Sequence, residues 1–516
     1  MPKRFTGLAI TAGLVAVAAV VGGAILFTSS RASEVNLTTA SLVPKDAGVY
    51  FALNTDLSSS QWVNTFRLAE RLGADDPKGK LQDGADEAGL DWEDEVAPFL
   101  GGNAALYLRG FSISDLNAEG AVIVRCKDPK KALGVIEDQA GPFDDETYNG
   151  VKYHAMMTGF AAIIGDHLVV AFDEDSMKSV IDVSKGKTKS LSNVDDFQQL
   201  RDELTGNFLG FVYLNTQNLT EGFLLNDPVV RAAFDKAGAS DLVFKPVAFV
   251  IGAQKDGFEF QEASLGKAGA VSPMLAPRKS NLVKYVPADA GVFFSTVDIA
   301  ETWDRVIAQA RPEIDKAIRE QGEYDSLDDA LKDAGRKMGI SSVEEVIKLL
   351  NGETVIAAWY PDGNEEHAEG ALIAEVDQAR AEALLKKIAA AAKGKPSIEK
   401  VGPNEMTVFR DQDGDGSAYA FLEGNLVLGT KDGVKRILER TDSPLGSLAR
   451  YNETVSQMST SLGTYAYFDL AKLLRLAQGG VPADLSEAER ALSGLIINAV
   501  DERGVVRLSG IITVEK

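Results

Sequence analysis

VPKDAGVYFALNTD (43–56) and VPADAGVFFSTVD (286–298) are two versions of one phrase. Each opens with Pro and Asp, which favour a turn, and runs into β-branched and aromatic residues, which favour a strand. The echo extends onward along both halves of the chain. Trp62 follows the first strand and Trp303 follows the second. EVAPFLGGNAALYL (95–108) answers to EVIKLLNGETVIAAWY (345–360), and EGAVIV (119–124) to EGALIA (369–374). IGDHLVVAF (164–172) answers to LEGNLVLGT (422–430), and FVYLN (211–215) to YAYFD (465–469). The matches keep their order, and their offset stays between 241 and 258 residues. An ordered echo of this period implies one unit present twice.

A chain of 516 residues exceeds one ordinary core, in keeping with two domains. The boundaries follow from composition. Residues 41–265 form the first copy and 282–516 the second, joined by GKAGAVSPMLAPRKS within a linker over 266–281. Residues 1–6 precede a stretch at 7–27, GLAITAGLVAVAAVVGGAILF, that carries no charge and is long enough to cross a bilayer core. Lys3 and Arg4 before it leave the N-terminus in the cytoplasm and place the bulk of the chain outside, after a tether at 28–40. The length of the stretch favours a retained anchor; Ser30 and Ala32 leave a cleaved signal peptide as the alternative. The net charge is −23, and both copies are acidic. Nucleic acid is therefore excluded as a natural partner. The expected partners are the membrane, through the apolar stretch, and envelope proteins or lipid.

Within each copy, strands are joined mostly as hairpins, with helices between groups of strands. Asp128–Pro129 and Asp377 each announce a helix, and KDG and ERG turn the last hairpins. The expected class is α+β: two homologous tandem units, each a mainly antiparallel curved sheet with helices packed on one face, after an N-terminal transmembrane helix. The long crossover after residues 120–126 leaves room for one parallel pair.

Chemistry is sparse. Asp411, Asp413, Asp415 and Gly416 have the spacing of positions 1, 3, 5 and 6 of a calcium loop. The twelfth position is Leu422 instead of Glu, and the flanks read as strands, so a solvated hairpin tip is the first reading and calcium the alternative. His154 and His167 fall in neighbouring predicted strands where they could face each other, and His367 stands apart. Cys126, the lone cysteine, sits in an alternating run and reads as a packed strand residue. Trp62 and Trp303 read as core anchors. No nucleophile elbow, phosphate-binding loop or dinucleotide fingerprint is present, so no catalytic residue is assigned.

The opening phrase, carried by Pro44, Asp46, Ala47, Gly48, Asp56 and Trp62 and again by Pro287, Asp289, Ala290, Gly291, Asp298 and Trp303, resembles a bacterial envelope family known as domain of unknown function 3352. The resemblance covers most of residues 41–516 and implies a membrane-attached bacterial protein, with no catalytic residue to carry over. The expected function is a non-enzymatic binding or scaffold protein tethered to the cell membrane. The alternatives are a carrier or sensor of an apolar ligand such as lipid, and an enzyme of unrecognised class.

Overall fold

Both copies of the repeated phrase fold as a turn feeding a strand. The computed structural model describes residues 37–515 apart from 113–116, 142, 158, 205, 220–244, 266–268, 362–366, 392–395, 411–415, 440–442, 459–460, 478–485, 487–488, 490 and 503. The apolar stretch at 7–27 lies outside the described residues. No described helix is long and apolar enough to cross a membrane. The chain divides into two compact units at Gly266/Lys267, with Val514–Lys516 grouped with the first.

The first unit runs β1 (Val49–Asn54), α1 (Ser60–Arg71), α2 (Pro77–Glu87), β2 (Asn103–Ser112), β3 (Asn117–Arg125), α3 (Pro129–Ala140), β4 (Asp144–Tyr148), β5 (Val151–Met156), β6 (Gly159–Ile164), β7 (His167–Ala171), α4 (Glu174–Ser184), α5 (Asp195–Glu203), β8 (Gly210–Leu214), α6 (Thr216–Leu219), β9 (Val247–Gln254) and β10 (Gly257–Leu265). Its strands pair in the order β4-β5-β6-β7-β3-β2-β1-β8-β9-β10, antiparallel throughout. Local chemistry sets the joints. Ser59 caps α1 by accepting from the Trp62 N–H. Asp128 accepts from two N–H groups at the start of α3, behind Pro129. Asn149 and Gly150 both take positive φ, as the tight turn between β4 and β5 demands.

The second unit runs β11 (Val292–Val297), α7 (Ile299–Gln321), α8 (Leu327–Lys337), α9 (Glu344–Ile347), β12 (Glu353–Trp359), β13 (Glu369–Glu375), α10 (Gln378–Ala391), β14 (Ser397–Val401), β15 (Asn404–Arg410), β16 (Gly416–Leu422), β17 (Asn425–Thr430), α11 (Lys431–Glu439), α12 (Ala449–Ser456), β18 (Thr464–Asp469), α13 (Leu470–Ala477), β19 (Leu492–Glu502) and β20 (Val505–Val514). The strand order is β14-β15-β16-β17-β13-β12-β11-β18-β19, again antiparallel throughout. The Thr513 hydroxyl bonds both the N–H and C=O of Gly494, which sets β20 beside β19. Asp377 caps α10 through the Arg380 N–H, 3.0 Å away. Residues 269–281 pack within this unit: Arg278 N–H donates to Leu462 O, and Thr464 Oγ1 to Met274 O.

The structure corrects two details of the expected fold. The room left for a parallel pair is not used: β3 lies antiparallel to β7, and β13 to β17. Nor are the helices confined to one face. In the first unit, Leu53 of β1 packs with Trp62 of α1 and Leu81 of α2. On the other face Tyr50 meets Phe197 of α5 edge-on, and the Tyr107 hydroxyl donates to Ser176 O of α4. In the second unit, Phe421 packs with Leu384 of α10, while its neighbour Leu422 joins Ile437 of α11 and Tyr451 of α12. Successive strand residues point to opposite faces, so strands apolar at both parities require cover on both sides.

Candidate functional site

The repeated Pro-x-Asp-Ala-Gly phrase is a structural joint. In each unit the proline makes an isolated bridge to a distant segment, Pro44 with Ser190 and Pro287 with Pro444. The alanine N–H closes a turn on the proline carbonyl at 3.1 Å in both. The glycine then enters the sheet: Gly48 N–H donates to Leu108 O and Gly291 N–H to Ala358 O, and their carbonyls accept from Asn215 and Asp469. Ala47 and Ala290 are buried, which leaves space for little more than a methyl group.

Along the strands this joint feeds, the second unit buries two carboxylates, one of them where the first buries a neutral amide. Glu353, the first residue of β12, is buried. Its Oε1 accepts from Ser295 Oγ at 2.9 Å and lies 3.1 Å from Arg278 Nη1. Its Oε2 accepts from the N–H groups of Asn281 and Leu282. The matching first residue of β2 is Asn103, which donates to Thr39, itself bonded to the Tyr50 hydroxyl. Asp469, also buried, accepts from Arg450 and Lys472 and caps α13 through the Lys472 N–H. These carboxylates are held by cations and N–H donors on the same element or its neighbours. Their chemistry is that of fixed structural ion pairs.

The residues singled out in sequence separate in space. Asp411, Asp413 and Asp415 lie outside the described residues. Among the described residues no group of three or more His, Cys, Asp or Glu is placed to hold a metal. His154 and His167 do not face each other, because β6 runs between their strands. His154 bonds Asp145, and His167 bonds Asp166. His367 is exposed. Cys126 is buried among Phe99, Val124 and Ile136, and burial pushes its thiol up to about 12. That is opposite to the shift of a working nucleophile.

The two tryptophans also part company. Trp62 is fully buried, and its indole donates to Asn54 O at 2.8 Å. Trp303 is half-buried, and among the described residues its buried Nε1 has no hydrogen-bond partner. The cause is local. Six positions separate Asp56 from Trp62, but five separate Asp298 from Trp303, and α7 starts directly after Asp298. One residue rotates a helix face by about 100°, so the second indole cannot repeat the first.

The feature that sequence reading missed is a row of side chains across the second sheet. Ile356, Leu372, Leu428, Tyr419, Thr407 and Ile398 are register partners on six successive strands, β12 to β14 through β13, β17, β16 and β15. At about 4.8 Å per strand the row is about 24 Å long. Ile356 is 45% exposed, Leu428 37% and Ile398 69%. The matching row in the first unit is Leu106, Val122, Val170, Ala161, His154 and Asp145. There α3 covers it, through Ala132 and Ile136 against Val170. In the second unit α10 turns its Ala381 and Leu384 to Ile340, Leu349 and Phe421 instead, beside the row. The alternation of each strand was legible; the alignment of registers across six strands was not.

Three crystal forms of TP0453 are similar to this chain at 11–13% identity, covering 44% of it and 77–79% of their own length, with a TM-score of 0.25. No curated protein matches it. Residues 8–494 match the family described as "Protein of unknown function (DUF3352)", and the chain belongs to that family.

Proposed function

We propose that the protein is a membrane-tethered, extracytoplasmic binding or scaffold protein of the bacterial cell envelope, acting without catalysis, and that the open row of the second unit is its binding face. The single observation that carries this reading is the row itself. Exposed apolar residues scattered singly are ordinary, but a register-aligned line with three exposed members marks an interaction surface. The tether is supported by the uncharged run at 7–27 behind Lys3 and Arg4. A carrier of an apolar ligand such as lipid is the second reading, favoured by the same row.

The test is native purification from membranes with mass spectrometry of co-purifying proteins and lipids, for the wild type and for the double variant Ile356→Asp, Leu428→Asp. Both positions are exposed enough for the fold to survive, which circular dichroism checks. The expected result is loss of the co-purifying species in the variant. An unchanged set of proteins and lipids overturns the reading; selective loss of lipid alone selects the carrier.

A further inference from the structure

β14 and β4 are the matching outermost strands of their sheets. Among the described residues each pairs with one neighbour, β15 or β5. The two edges are finished differently. β4 carries Asp144, Asp145 and Glu146, all exposed. Charge of one sign along an edge repels an approaching strand. β14 reads Ser-Ile-Glu-Lys-Val, with opposite charges next to each other and Ile398 69% exposed.

Register tells which backbone groups are free. The turn Gly402-Pro403 joins Val401 to Asn404 as the closing pair. A two-residue turn closes on a hydrogen-bonded pair, and such pairs alternate along an antiparallel ladder. Val401, Glu399 and Ser397 therefore point their N–H and C=O groups at β15. Ile398 and Lys400 point theirs outward.

We infer that β14 pairs edge to edge with β14 of a second copy of this chain, antiparallel and centred on Ile398. This register is self-complementary. The two Ile398 backbones exchange reciprocal hydrogen bonds, and Lys400 N–H on each side donates to the Pro396 carbonyl opposite. Proline has no N–H, so no donor is stranded there. Glu399 faces Ser397 and Lys400 faces Pro396, so no like charges meet. Self-pairing of β4 centred on Asp145 or Glu146 would set acid against acid. Ile398 meets Ile398, the exposed end of the row is covered, and the apolar line continues from one sheet into the next. A five-residue edge is a small contact; the pairing borrows from the tether reading only the confinement of both copies to one membrane plane, which raises their effective concentration.

Cys126 is buried, so a thiol placed at 398 is the one exposed to oxidation. The full chain carrying Ile398→Cys is reconstituted in phosphatidylethanolamine/phosphatidylglycerol vesicles and oxidised with copper phenanthroline. Directly opposite residues in an antiparallel pair lie about 5.5 Å apart at Cα, within disulfide reach. The expected result is a disulfide-linked dimer as the major species. Ser417→Cys, exposed on the inner strand β16, stays monomeric. Ile398→Lys, which sets two cations opposite each other, returns the labelled chain to monomers in single-molecule photobleaching. Ile398→Cys that reacts fully with a maleimide yet stays monomeric under oxidation overturns the inference. So does equal cross-linking of Ser417→Cys. Flotation of the same vesicles reads the tether separately; a chain that does not float is oxidised at high concentration in solution, where the same two outcomes decide.

Discussion

His167 shows how burial dominates a residue's behaviour. The residue is 8% exposed, with Nδ1 2.8 Å from an Asp166 oxygen and Nε2 without a hydrogen-bond partner among the described residues. Burial is the main force and holds its pKa below the ordinary value; nearby Arg125 pushes the same way, and Asp166 opposes. In the unfolded chain the imidazole binds a proton near its ordinary value of about 6.5. As pH falls through that value the unfolded state takes up the proton first, so this contribution is complete above it and is lost below it. The wild type is therefore expected to lose more thermal stability between pH 8 and pH 5.5 than His167→Gln. Melting curves at the two pH values check this, and parallel losses would remove His167 as the cause. Cys126 is the complementary case, a single thiol that its surroundings make inert. The burial of both residues is completed by segments distant in sequence.

At the scale of the element, two glycines make opposite demands. Gly429 on β17 passes so close to β13 that an added Cβ would collide with the Gly370 carbonyl. Gly134 on α3 faces open space. Gly429→Ala is expected to destabilise by about 1–3 kcal/mol through overpacking at the strand crossing. Gly134→Ala is expected to stabilise by up to about 1 kcal/mol, because alanine loses less backbone freedom in a helix. Urea denaturation of both variants measures the contrast; equal effects would mean that β13 and β17 approach less closely. Much at this scale could be read in sequence. The strands at 49–54 and 292–297, the caps Asp128 and Asp377, and the meander between residues 144 and 171 depend on contacts a few residues apart. The face each strand buries was misjudged for a physical reason. VYFALN and VFFSTV are apolar at both parities, so each strand needs cover on both sides, and the helices that supply it lie far away in sequence.

For the whole molecule, the proposed tether makes the clearest demand. The full chain is expected in the membrane fraction after carbonate washing, and a chain lacking residues 1–36 in the soluble fraction; a soluble full chain would end the tether reading. The strand order is the same in both sheets, and so are the proline bridges. The units differ in packing where α10 and α3 cover different parts of the sheet, and in sequence at the shorter spacing before Trp303, at Glu353 against Asn103 and at β14 against β4. Much of the strand placement, the turns and the helix starts could be read from sequence, because these rest on side-chain alternation and local capping. Only the packed fold shows which sheet face stays open and which strands end up as edges. Those outcomes depend on registers between strands as distant in sequence as Val292 and Phe468, where a one-residue shift turns every side chain to the other face.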